Sequence, residues 1–160
     1  MVIQQIKEEE LYRIQDLANK TWFITYNKIL KEDQLNYMFN LMYKIDNLKY
    51  NINNGSRFFI LKVGKEDLAF IELKTEKNYL KINKIYVLQN NQGKGYGKHL
   101  INKACAIGKS ENCQHIELNV NRFNKAIDFY IKNKFEIVKE VDIKIGNGYL
   151  MEDYVMLKNI

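Results

Sequence analysis

Gln89-Asn-Asn-Gln92-Gly93-Lys94-Gly95-Tyr96-Gly97-Lys98-His99-Leu100 holds three of the chain's eight glycines within five residues. Before it runs Leu80-Lys-Ile-Asn-Lys-Ile-Tyr-Val-Leu88, apolar at 80, 82, 85, 87 and 88. The alternation predicts a buried strand, and its change of phase predicts a bulge or slip near Asn83. After it, Leu100, Ile101, Ala104, Cys105 and Ile107 mark one face of a helix. The order is therefore strand, glycine loop, helix. A helix entered this way leaves its first backbone N–H groups unpaired, with the positive end of its dipole behind them. Glycines at alternate positions let an anion approach that backbone closely. With Lys94 and Lys98 beside it, the loop reads as a seat for a pyrophosphate.

Short glycine motifs separate by spacing. The Walker pattern needs Gly-Lys followed by Ser or Thr, and here Gly97-Lys98 is followed by His99. The dinucleotide fingerprint needs a glycine where Lys98 stands. Gln92-x-x-Gly95-x-Gly97 does fit a known signature. It resembles the Gln/Arg-x-x-Gly-x-Gly/Ala block of the GNAT acyltransferase superfamily, which in that family binds the pyrophosphate of acetyl-CoA. The competing reading is a tight turn that only caps the helix.

At 160 residues the chain has the length of one domain with a substantial core. Residues 1–160 are expected to form a single acetyltransferase domain. Net charge is +6, but the lysines are scattered, as on a solvated face. Nucleic-acid binding has only this charge behind it, without a basic stripe interleaved with aromatics. No apolar run reaches membrane-spanning length, and the N-terminus has no signal-peptide profile. Two cysteines make no disulfide framework; Cys105 reads as a core residue and Cys113 as a loop thiol. A reducing, cytoplasmic setting is expected. No Cys/His/Asp spacing suggests a metal site.

The first half reads as helical after a short edge strand at Val2–Ile6. Leu11, Ile14, Leu17 and Ala18 recur at helical spacing, and the pattern runs on through Trp22 and Phe23. Leu30 to Tyr43 reads as a second helix, and Lys44 to Asn54 as a polar stretch ending in a turn. Trp22, Tyr26, Tyr37 and Tyr43 are expected to border a substrate cleft or simply to pack between helices. Then the period changes. Arg57–Val63 and Leu68–Leu73 read as a hairpin around Gly64-Lys65-Glu66-Asp67, and Tyr79–Leu88 as the next strand. Beyond the loop helix, Ile116, Leu118 and Val120 alternate with polar residues in a half-buried strand. A short helix at Asn124–Tyr130, a strand at Phe135–Val141 and a turn with a last strand over Gly146–Leu157 close the chain.

The short helix carries the second resemblance. Asn124-Lys-Ala126-Ile127-Asp-Phe129-Tyr130, followed by Phe135, is similar to the GNAT block in which an Asn precedes an Ala-Ile-x-Phe-Tyr helix. Lys134 stands where most members have the helix-ending Gly, and Leu68-Ala69-Phe70 where Gly is usual before the aromatic. The resemblance covers nearly the whole chain. It implies an α/β (α+β) fold: a mixed, mostly antiparallel central sheet whose two central parallel strands splay apart, flanked by helices. Acetyl-CoA, the co-substrate, lies in that gap. The backbone of Ile85, Tyr86 and Val87 then pairs with the pantetheine. Gln92, Gly93, Lys94, Gly95, Tyr96, Gly97 and Lys98 hold the pyrophosphate, Asn124 reaches the pantetheine, and Tyr130 sits near the sulfur.

The implied reaction is attack of an amine, of a polyamine-like small molecule or a peptide, on the thioester within a ternary complex. Val87 N–H is the expected donor to the oxyanion and Tyr130 the proton donor to the thiolate. The acids that some relatives carry at the positions of Asn83 and Asn119 are absent. Glu72 is the first candidate base and Glu117 the second; each also reads as a solvated strand-face carboxylate. His99 and His115 read as surface or structural groups. Without those acids, a module that binds CoA and does no chemistry is the alternative. The resemblance also implies pairing of two copies through the last strands.

Overall fold

The computed structural model describes residues 1–160. Its centre is a seven-stranded sheet: β1 (Val2–Gln5), β2 (Ser56–Val63), β3 (Glu66–Thr75), β4 (Tyr79–Val87), β5 (His115–Asn121), β6 (Glu136–Gly146) and β7 (Tyr149–Asn159), in the order β1-β2-β3-β4-β5-β7-β6. Every pairing is antiparallel except β4 with β5. This is the mixed sheet with one central parallel pair that the resemblance implied.

The strand period of two splits the core between the two faces. Along β2, Phe58 and Ile60 join one apolar cluster while Phe59 and Leu61 join the other. The first cluster is closed by α1 (Leu11–Tyr26), α2 (Glu32–Tyr43) and α3 (Ile45–Asn53), the second by α4 (Tyr96–Ser110) and α5 (Ala126–Lys132). Arg13 on α1 grips Asp67 at the start of β3 with both arms of its fork, Nε and Nη2 each 2.8 Å from a carboxylate oxygen. Such a two-bond pair fixes the helix on the sheet as well as attracting it.

Two sequence expectations need correction. The stretch read as a polar run to a turn is mostly helix α3. Ile45, Leu48 and Ile52 all face the first cluster, Leu48 with no exposure, and that narrow stripe among polar residues is what holds the helix. The cysteines are reversed in burial: Cys113 lies in a loop but is buried, at 7% exposure, while the helical Cys105 is half-buried. Both are free thiols.

One finer expectation holds, and the turn that Lys134 put in doubt is kept. Glu72 faces Lys84 and Leu73 faces Ile82, so Asn83 is the extra residue of a β-bulge in β4. Lys134 has φ +70°, the left-handed conformation that the usual glycine adopts freely, so the turn after α5 survives the substitution under local strain. No helix is long and apolar enough to cross a membrane.

Candidate active site

β4 and β5 pair only over Tyr79–Ile82 and His115–Leu118. Beyond Ile82 the two strands separate, and a cleft of about 1170 Å³ opens between Asn83–Val87 on one side and Asn119 and Val120 on the other. It runs from the glycine loop and α5, on one face of the sheet, to the end of α1 on the other.

The β4 wall presents a usable backbone edge. Leu88 N–H donates to the Leu68 carbonyl at 2.9 Å, and Val87 stands opposite Ala69. Bonds in an antiparallel pair alternate, so Leu88 and Tyr86 spend their amides on β3, while Ile85 and Val87 turn theirs into the gap. The three-residue edge of the sequence reading thus becomes two cleft-facing amides, with Tyr86 offering its ring and hydroxyl. Gln92 Nε2 donates to the Val87 carbonyl at 3.2 Å, which ties the loop to the strand and leaves the Val87 N–H open.

The loop keeps its donors free. From Gly93 to Lys98 no backbone N–H has an acceptor within the protein; the first bond closing the helix is His99 N–H to the Gly95 carbonyl. Gly93 and Gly95 have φ of +78° and +84°, and a Cβ on either would meet nothing within 4 Å. They are glycines for backbone conformation, with open space beside them. Gly97 is glycine for a different reason: a Cβ there would lie 2.8 Å from Cζ of Phe129. The two sequence blocks therefore touch, α4 packing on α5 at this point. Five of the cleft's lining residues are lysines (Lys28, Lys84, Lys98, Lys125 and Lys132) and none is Asp or Glu. Bare amides at a helix start, a strand edge and cationic walls fit the diphosphate and the extended amides of a CoA molecule. Lys94 is exposed and lies outside the lining.

Across the gap, Tyr130 packs its ring between Phe129 and Phe135, with centroids 5.4 and 5.8 Å away. Its hydroxyl makes no bond within the protein, and the residue lines the cleft. Burial, with a smaller contribution from Tyr26, pushes this phenol well above its ordinary value, so it stays protonated. Asn124 Oδ1 accepts the Ala126 N–H at 2.9 Å and so starts α5, leaving the side-chain NH2 toward the gap.

Glu72 is neither solvated nor on the cleft. It has no exposure; one carboxylate oxygen meets the Lys84 ammonium and the other lies 3.4 Å from Asn83 Nδ2. Lys84 and Asn83 stand between it and the gap. Glu117 is bound to Lys81 at 2.7 Å, and the same ammonium holds Asn119 Oδ1 at 2.5 Å. His99 is exposed on α4, and His115 stacks on Tyr79 at 5.1 Å, away from the cleft. Trp22 and Tyr43 are core residues at 2% and 1% exposure, and Tyr37 bonds the Ile145 carbonyl; of the four aromatics singled out in the sequence, Tyr26 alone lines the cleft. Asp153, read from the sequence only as part of the closing strand, is buried on β7. Desolvation raises its carboxyl, opposed by a bond from Asn119 and by Arg122 and Lys81. No group of three or more His, Cys, Asp or Glu side chains comes together.

The model of the acetyltransferase (GNAT) family matches residues 11–135, which include the loop, the gap and α5. The chain belongs to the GNAT acetyltransferase family. It is accordingly an acetyl-CoA-dependent N-acetyltransferase, and a CoA-binding module without chemistry is set aside. A spermidine N(1)-acetyltransferase of Thermoplasma acidophilum is 28% identical to this enzyme over 156 residues, 94% of each chain. Two solved structures share the fold. The PaiA N-acetyltransferase of Thermoplasma acidophilum, crystallised in complex with coenzyme A, has a TM-score of 0.81 at 24% identity and full coverage of both chains. A GCN5-related N-acetyltransferase from Rhodopseudomonas palustris has a TM-score of 0.85 at 13% identity, covering 99% of this chain and 95% of that one.

Proposed function

We propose that residues 1–160 act as one domain that moves an acetyl group from acetyl-CoA to the primary amine of a polyamine-like small molecule or a peptide, by direct attack in a ternary complex. One observation carries this reading: a single cleft joins the unpaired amides of Gly93–Lys98 to the end of α1 through the split between β4 and β5. The relative named for spermidine supports an amine acceptor, and the neighbour crystallised with coenzyme A supports the donor.

When bound, acetyl-CoA supplies the activated thioester carbonyl that the amine attacks. Gly93–Lys98 hold the diphosphate, and the cleft-facing amides of Ile85 and Val87 align the pantetheine arm. The open Val87 N–H donates to the carbonyl oxygen as negative charge develops there. Asn83 lines the cleft, and its Oδ1, without a protein partner, accepts an N–H of the amine. The amine must arrive neutral, because an ammonium has no lone pair. Lys28 favours that form, since nearby positive charge makes an amine easier to deprotonate, whereas the charge of Lys84 is already balanced by Glu72. Tyr130 gives its proton to the sulfur as the C–S bond breaks, and its phenolate, made strongly basic by burial, takes up the proton that the attacking nitrogen sheds, so that amine and thioester leave as amide and free thiol.

The test is thiol release from acetyl-CoA with polyamines, aminoglycosides, amino acids and peptides, with the acetylated product read by mass spectrometry. Release above hydrolysis with a primary amine, reduced about 10²-fold or more in Tyr130→Phe, is the expected result. No amine-dependent release would overturn the acceptor assignment. Full turnover in Tyr130→Phe across the pH range would remove that residue as the proton donor.

A further inference from the structure

Three side chains from three elements meet in the gap. Tyr26 closes the last turn of α1 on one face of the sheet, Tyr86 stands on β4, and Asn124 heads α5 on the other face. The hydroxyls of Tyr26 and Tyr86 lie 3.1 Å apart, and Asn124 Nδ2 donates to the Tyr26 oxygen at 3.4 Å. The same Asn124 accepts the Ala126 N–H, so one amide side chain starts α5 and holds α1. The Tyr26 ring has no freedom to wander: it is 9% exposed, and its centroid is 4.5 Å from that of Trp22.

The helix beyond Asn124 needs such support. α5 has seven residues, too few to be stable by its own hydrogen bonds. Its first turn is fixed from the cleft side by the Asn124 amide, and Tyr130 follows one turn later. Tyr86 holds the Tyr26 oxygen from the strand that faces the ligand. A path of two hydrogen bonds thus runs from β4 to the start of α5 and ties the two walls of the gap together. Small errors in such a place are expensive, because about 1 Å of misplacement costs on the order of 10²-fold in rate.

We propose that Tyr26 is a positioning residue for acetyl transfer: its hydroxyl, pinned by Tyr86, holds Asn124 and through it sets α5 and the Tyr130 hydroxyl against the β4 edge. This rests on the reading of Tyr130 given above. Tyr26→Phe keeps the ring on Trp22 and removes only the hydroxyl, so the fold should survive.

The test compares Tyr26→Phe, Asn124→Ala and the double variant with the full-length enzyme. Tyr26→Phe should lower kcat about tenfold or more, with KM for acetyl-CoA within about twofold and Tm within a few degrees. Backbone amides of 124–132 should exchange hydrogen faster, and the double variant should be no slower in turnover than Asn124→Ala alone. An unchanged kcat in Tyr26→Phe overturns the proposal, as do losses that multiply independently in the double variant. If the unaltered enzyme turns over none of the amines, the functional reading fails separately. Amide exchange then decides: faster exchange in 124–132 supports the positioning role, and unchanged exchange overturns it.

Discussion

The buried pair of Glu72 and Lys84 gives the sharpest test of how the site is built. Glu72 has no exposed side-chain surface and Lys84 keeps 10%. The ammonium also lies 5.7 Å from the centre of the Tyr43 ring, on the same face of the sheet. Lys84→Met removes the cation but preserves most of the volume. The carboxylate is then left buried with only the Asn83 amide, at a cost of about 3–5 kcal/mol. For a chain of this size, where 1 kcal/mol corresponds to about 2–4 °C, the melting midpoint should fall by roughly 6–20 °C. Replacing both partners, Glu72→Leu with Lys84→Met, exchanges a desolvated ion pair for apolar contact and should be neutral or stabilising. The expected order of stability is double variant at or above the unaltered enzyme, with the single variant well below both. Urea denaturation at neutral pH reads it. A single variant within about 1 kcal/mol of the parent would refute the reasoning, because a buried carboxylate cannot lose its partner so cheaply. Turnover of Glu72→Gln, which keeps Lys84, tests the chemistry as well. If Glu72 only anchors Lys84, kcat stays within a few fold; loss of about 10²-fold or more would point to Glu72 as the base.

Three further outcomes follow from the same geometry. Gly95→Glu should abolish acetyl-CoA binding in calorimetry, because it forces a side chain to φ +84° and puts a carboxylate in the anion seat; unchanged affinity would place the diphosphate elsewhere. Gly97→Ala puts a methyl 2.8 Å from the Phe129 ring and should destabilise by about 1–3 kcal/mol through overpacking; Gly97→Ala with Phe129→Leu should recover part of that loss in thermal denaturation. Asp153 has its carboxyl raised by desolvation, so the folded state holds the proton to higher pH than the unfolded chain does, and the charged form weakens the fold above that range. Asp153→Asn should therefore be more stable than the parent at pH 7, with the gap closing as pH falls through the raised folded value to the ordinary carboxyl value near ~4; a gap that widens toward acid would reverse the sign of the argument.

Local chemistry made the donor side of the cleft legible. The glycine loop and the α5 block each carry their signal within a few consecutive residues, and the phase change at Asn83 was enough to place a bulge. The burial of Glu72 and its pairing with Lys84 are not legible in the sequence, because its neighbours in sequence say nothing of its neighbours in space. Strand alternation puts it on the face covered by α1–α3, and only the cross-strand register brings Lys84 opposite it. Tyr26 and Tyr86 are 60 positions apart and Tyr26 and Asn124 are 98 apart, so no local period could join them. α3 was missed for the opposite reason: its apolar stripe of Ile45, Leu48 and Ile52 is thin, and the asparagines around it look like loop until Leu48 is seen to be fully buried.

The bulge at Asn83 and the split beside it have a common physical logic. An extra residue in an antiparallel strand bends the strand and sharpens its twist. β4 carries its extra residue immediately after Ile82, the last position at which it pairs with β5. From Asn83 onward β4 follows β3, with Tyr86 opposite Phe70, while β5 follows β7, with Asn121 opposite Asp153. A parallel pair shares evenly slanted hydrogen bonds and is the weaker kind, so it is the one that gives way when the two halves of the sheet twist apart. The amides that β4 then turns outward at Ile85 and Val87 belong to a half-buried stretch of strand that has lost its neighbour. An extended ligand with amides of its own repairs that loss, which is why the donor's pantetheine arm and the gap suit each other independently of any side chain. In the proposed reaction, side chains enter only where charge or proton must be handled: at the lysine-flanked loop, at Asn83 and at Tyr130.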